Sequence, residues 1–115
     1  MIGGWFQSHP RGTYAATLKV EDASHPSTKV IPKSFIRTDE WYAFKDFDPD
    51  VTLLVTLDPL SIGQPAGPPW PVSWSREYGG GRIFYTSMGH TVESFSEPVF
   101  LKHIEGGLDW TLAKK

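Results

Sequence analysis

Apolar and polar positions divide the 115-residue chain into short β-like runs followed by one stripe of helical spacing. Residues 13–20 carry Tyr14, Thr17, Leu18 and Val20, the composition of a strand. Residues 21–27 are a polar turn in which Pro26 restricts His25 to an extended backbone. Residues 35–44 are β-formers around the acidic pair Asp39-Glu40, and Asp48-Pro49-Asp50 is a second turn. Residues 51–57 (VTLLVTL) form the strongest strand, apolar almost throughout, as a strand covered on both faces would be. Five prolines and two glycines in residues 58–71 read as an exposed loop. Residues 71–78 and 82–87 predict two further strands joined by a tight turn at Gly79-Gly80-Gly81.

One helix closes the pattern. Ser96 is suited to cap it, and Pro98 sits where its missing N–H costs nothing. Phe100, Ile104, Leu108 and Leu112 recur every four residues and predict the buried stripe, with Leu101 widening it. His103, beside Lys102 and Glu105, falls on the face expected to be solvated. Gly106-Gly107 costs about 1 kcal/mol per glycine relative to alanine, which implies close packing of the helix on a sheet. Residues 1–12 hold Gly3, Gly4, Pro10 and Gly12 and read as a loop or the end of a larger element. A single helix covers one face of a sheet. The second face of the 51–57 strand therefore needs either a β-rich segment or a further half of the domain.

The length suits one domain, residues 1–115. Aromatic residues make up 14% of the chain and require either a core or a ligand surface. Eleven glycines and ten prolines favour many turns over a helical bundle. A net charge of -2 argues against an electrostatic binder of nucleic acid or of an anionic membrane. Zero cysteines exclude a disulfide framework, thiolate ligands and a cysteine nucleophile within this chain. No apolar run approaches a bilayer span, and the first residues lack the pattern of a signal peptide, so a cytoplasmic location is the default expectation.

The candidate chemistry is histidine and carboxylate. His9-Pro10, His25-Pro26, Asp39-Glu40 and Gly89-His90 all lie at loops or strand ends, where a scaffold presents functional side chains. This residue set serves general acid–base catalysis, and it also binds zinc or another divalent ion. His90 is the foremost candidate, because it follows a strand and Gly89. In a parallel α/β sheet, ligand sites lie outside the carboxyl ends of strands. Adjacent acids on a strand point to opposite sides, so at most one of Asp39 and Glu40 normally faces a site. Trp5, Trp41, Tyr42, Trp70 and Trp74 lie in or beside loops, where flat rings stack on sugars, although core packing is the ordinary fate of a tryptophan.

Gly3-Gly4-Trp5-Phe6 with His9-Pro10, then His25-Pro26, Asp39-Glu40 with Tyr42, Pro71-Val72-Ser73-Trp74, and above all the segment from Tyr78 to His90 resemble the ThuA-like family, named for trehalose utilisation. Gly107-Leu108-Asp109-Trp110 in the closing helix fits the same pattern. The resemblance implies a flavodoxin-like α/β sandwich, similar to class I glutamine amidotransferases, of which this chain corresponds to the C-terminal half. It also implies carbohydrate metabolism, on trehalose-like or oxidised (keto) disaccharides. His90 and the Asp39-Glu40 pair are then the expected catalytic groups. Trp5, Tyr42 and Trp74 are the expected sugar contacts, and His9, His25 and His90 a tentative metal set. The alternative is a non-catalytic carbohydrate-binding or oligomerisation module, in which a second copy covers the exposed sheet face.

Overall fold

The computed structural model describes residues 1–113. Seven strands precede one α-helix: β1 (Trp5–Ser8), β2 (Tyr14–Val20), β3 (Ser34–Asp39), β4 (Ala43–Lys45), β5 (Thr52–Leu57), β6 (Trp70–Tyr78), β7 (Gly81–Thr86) and α1 (Pro98–Leu112). Five of them form a sheet in the order β3-β2-β5-β6-β7, and β1 pairs with β4 in a separate ribbon. Every pairing is antiparallel. This corrects the expectation of a parallel sheet: parallel neighbours need a crossover, and the one α-helix among the described residues follows the last strand. The result is a mixed α/β domain with helix and strands packed as layers.

Strand periodicity sets the inner face. Ala16, Leu18 and Val20 alternate inward on β2, and Phe35, Arg37 and Asp39 do so on β3. Ala16, Leu18 and Phe35 join Leu54, Leu57, Val72, Met88, Trp41 and Phe100 in the apolar core. The two-residue turn at Gly79 and Gly80 has φ of 58° and 82°, the left-handed pair that a tight hairpin between β6 and β7 requires. β5 is buried over its last four residues, as its composition indicated. The cover on the second face is β-rich. Phe44 and Phe47 press edge-on against Trp74, with ring centroids 5.1 and 4.7 Å away, and Tyr85 stacks on the same indole at 4.3 Å.

Several local expectations are corrected. Residues 35–44 are not one strand, because the chain leaves the main sheet after Asp39 and re-pairs as β4 with β1, which had read as a loop. Within the proline-rich loop, Pro59–Ile62 makes a 3-10 turn capped by the Asp58 side chain. Ser96 ends a second 3-10 turn (Val92–Ser96), and the residue before the helix is Glu97, whose carboxylate is drawn away to Arg37.

The helix is also rotated relative to its leucine stripe. Leu108 and Leu112 are 48% and 77% exposed, whereas Phe100, His103, Gly106 and Gly107 face inward. The glycines explain the rotation. A methyl group at Gly106 would collide with the Pro26 carbonyl, and one at Gly107 with the Phe84 ring, so the helix lies closest along this edge. His103 is consequently buried rather than solvated. Its Nδ1 lies 3.1 Å from the Ser27 carbonyl and its Nε2 3.2 Å from Thr86 Oγ1.

Burial holds the His103 pKa at about 4, opposed by the Ser27 carbonyl and assisted by the charges of His25 and Arg37. His25 is shifted down as well, chiefly by its own burial. The unfolded chain therefore takes up these protons first as pH falls. The folded state is expected to lose roughly 3 kcal/mol through His103 alone between about pH 6.5 and pH 4. Urea unfolding at pH 7 and pH 4.5 checks this, and equal stability at both values would contradict it. No helix among the described residues is long and apolar enough to cross a membrane.

Candidate functional site

β3, β5 and β7 run in one direction, and β2 and β6 in the other. At the carboxyl ends of β3 and β7 the chain turns out of the sheet twice, through residues 40–42 and 87–91. Trp41 and Trp70 brace this end, their indole N–H groups donating to the carbonyls of Tyr14 and Tyr42, both at 2.8 Å. The β1–β4 ribbon adds His9 just beyond β1 and Tyr42 just before β4.

The two acids separate here. Asp39 is fully buried. Its Oδ2 pairs with Arg37 and accepts the Gly89 N–H at 2.7 Å, while Oδ1 accepts the N–H groups of Glu40 at 2.9 Å and His90 at 3.1 Å. A carboxylate engaged on both oxygens holds the loop and is not free to exchange protons with a substrate, which corrects the expectation of a catalytic Asp39. Gly89 makes the approach possible with φ at 107°, a conformation that side chains disfavour.

Glu40 faces the other way, into a cavity of about 350 Å³ that it lines with Phe6, His9, Tyr42 and Tyr85. Its Oε1 lies 3.6 Å from His9 Nε2, and its Oε2 lies 3.5 Å from His90 Nε2. The Tyr42 hydroxyl lies 3.4 Å from His90 Nδ1. Burial, then the Glu40 carboxylate, raise the Tyr42 phenol above its ordinary value, so it stays protonated as a donor. Burial does the same to Tyr85.

The partners make the two histidines inequivalent. His9 Nδ1 lies 2.9 Å from the Pro10 carbonyl, which accepts only a proton donor, so neutral His9 turns a bare Nε2 toward Glu40. His90 instead has its Nδ1 beside the Tyr42 hydroxyl and its Nε2 facing the other carboxylate oxygen, so its ring bridges the phenol and Glu40. The His9–Glu40 contact is attractive when a proton lies on one of the two.

The other candidates lie elsewhere. His25 follows the opposite end of β2, roughly 20 Å along the strand from the Asp39 end. There its ring packs on Trp110 at 4.9 Å and its Nδ1 lies 2.8 Å from Ser27 Oγ. The set His9, His25 and His90 thus does not converge. His9 and His90 also address different oxygens of Glu40. Among the described residues no group of three or more His, Cys, Asp or Glu side chains could hold a metal ion. Trp74 is fully buried and donates to the Ile2 carbonyl at 2.8 Å, so it cannot meet a sugar. Trp5 is 69% exposed but borders a different cavity, with Asp46, Asp48 and Arg76. Phe6, which stands with His9-Pro10 in the sequence, lines the cavity, and Tyr85 is the lining residue not singled out as a candidate. The usable signal for Tyr85 was alternation in β7, which sets it opposite Phe84.

The sequence profile of the family described as ThuA, trehalose utilisation, matches residues 1–111. The chain belongs to the ThuA family. Two solved structures are similar to it. One is a ThuA-like protein from Bacteroides uniformis ATCC 8492, at 25% identity and a TM-score of 0.78 over 99% of this chain and 49% of that one. The other is a ThuA-like protein from Parabacteroides merdae ATCC 43184, at 24% identity and a TM-score of 0.70 over 98% of this chain and 44% of that one. The chain therefore spans about half the length of each. Comparison with curated proteins finds no match.

Proposed function

We propose that this ThuA-family chain carries a proton-transfer site for a carbohydrate, with Glu40 as the base, His90 as its hydrogen-bonding partner and His9 as the group that shares the proton. The observation that carries the reading is the Glu40 carboxylate held between the Nε2 atoms of two histidines at the wall of an aromatic-lined cavity. A C–H beside a keto group gives its proton to Glu40 while the C–H electron pair moves onto the keto oxygen as an enolate, and the proton, shared with His9 Nε2 in the interval, returns to the enolate. The phenols of Tyr42 and Tyr85 supply neutral donors to sugar oxygens. The family's description, trehalose utilisation, supports a trehalose-like disaccharide as the substrate class, and the C–H chemistry extends the proposal to its keto form. The same reading takes this antiparallel sheet and its helix as one half of a larger α/β domain, supported by the chain covering 49% and 44% of the two ThuA-like structures.

The test is turnover of a disaccharide panel by wild type and His90→Ala. Loss of activity with an unchanged unfolding midpoint supports the reading, and retained activity sinks it. The rings of Phe6 and Tyr42, edge to face at 5.2 Å, favour a second reading, a carbohydrate-binding module without turnover. Saturable sugar binding that survives His90→Ala would select that one.

A further inference from the structure

We infer that Arg37, which does not line the cavity, is the positioning residue of the site and sets the place of His90 through Asp39. The inference rests on reading His90 as a working group.

Arg37 is a charged residue on the inner face of a strand, its side chain 3% exposed. Nothing in the core requires a cation there, so its partners must account for it. Its Nη1 meets Asp39 Oδ2, its Nη2 donates to Ser94 Oγ at 2.8 Å, and its Nε and Nη2 take both oxygens of Glu97 at 3.0 and 3.1 Å. Trp41 and Phe100 lie against the guanidinium, 5.7 and 5.5 Å from their ring centroids.

These contacts share one geometry. The segment carrying His90 runs from the end of β7 to the start of α1 and has no strand pairing of its own. Arg37 grips its far flank directly, at Ser94 and Glu97. It grips the near flank through Asp39, which takes the N–H groups of Gly89 and His90. One planar fork thus clamps the segment on both sides of His90. A lysine ammonium carries the charge but cannot make the forked pair with Glu97 while reaching Asp39. The clamp leaves the imidazole between the Tyr42 hydroxyl and Glu40, with His9 across the carboxylate and the charge of Asp39 offset by Arg37 itself.

The experiment uses the full chain with labelled aromatic side chains. Cross-peaks between the His90 and Tyr42 rings report the position of His90, and those between His25 and Trp110, at the other end of the sheet, report the fold. In Arg37→Lys the His90–Tyr42 cross-peaks should be lost, and the His90 titration midpoint should move, while the His25–Trp110 cross-peaks keep wild-type intensity. Glu97→Gln, at the exposed rim of the network, should weaken the His90–Tyr42 cross-peaks about twofold. Wild-type His90–Tyr42 cross-peaks in either folded variant would overturn the inference. So would equal weakening at both ends of the sheet, or failure of both variants to fold, since Arg37 would then support the fold rather than the loop. None of these readouts involves a sugar, so they stand or fall separately from the proposed reaction.

Discussion

Asp39→Ala is expected to lose about 3–5 kcal/mol of stability, the largest effect of any single side chain near the site. The reason is what it leaves behind. Arg37 would remain buried with one of its two carboxylate partners gone, and the part-buried N–H groups of Glu40, Gly89 and His90 would lose their shared acceptor. Asp39→Asn keeps one acceptor oxygen and the shape, and should lose less. Chemical denaturation of wild type and both variants at pH 7 measures the difference. A loss below about 1 kcal/mol for Asp39→Ala would mean that the network is not holding the loop.

Glu40→Gln is expected to act in the opposite register, on turnover rather than on stability. The amide keeps the volume and stays at the cavity wall, but it cannot take up a proton. General acid–base catalysis by a positioned group contributes typically 10²- to 10⁴-fold, so turnover of a processed sugar should fall by a factor in that range. Glu40 is half-buried and makes no close ion pair, with both histidine contacts at or beyond 3.5 Å. The unfolding midpoint should therefore stay within about 0.5 kcal/mol of wild type. Steady-state rates and denaturation on the same preparations check both halves. Unchanged turnover would remove Glu40 from the chemistry.

The sheet was legible where side-chain pattern alone decides structure. β2, β5, β6 and β7 followed from alternation, an apolar run and a glycine turn, each a local signal. The β1–β4 ribbon was not legible, because strands of four and three residues exist only through their pairing with each other. The helix was legible but its orientation was not. Leucine spacing points one way, whereas contact distance at Gly106 and Gly107 decides, and that contact is with segments distant in sequence. His103 was misplaced for the same reason. At the site, His9, Glu40, Tyr42 and His90 converge from four positions singled out as loop or strand-end chemistry. Asp39 could not be told from Glu40, since both are acids at one strand end and only the fold says which turns inward. Arg37 left one trace: a spacing of two from Asp39, which puts both on one face of β3.

The most direct measurement of the central claim is a titration of the histidine ring signals with a panel of disaccharides, including keto forms. His9 and His90 flank Glu40 at the cavity, whereas His25 and His103 lie at the opposite end of the sheet and inside the helix contact. The account predicts that one sugar shifts His9 and His90 together, saturably, and leaves His25 and His103 in place. Saturable shifts confined to His25 and His103, or none at all across the panel, would contradict it.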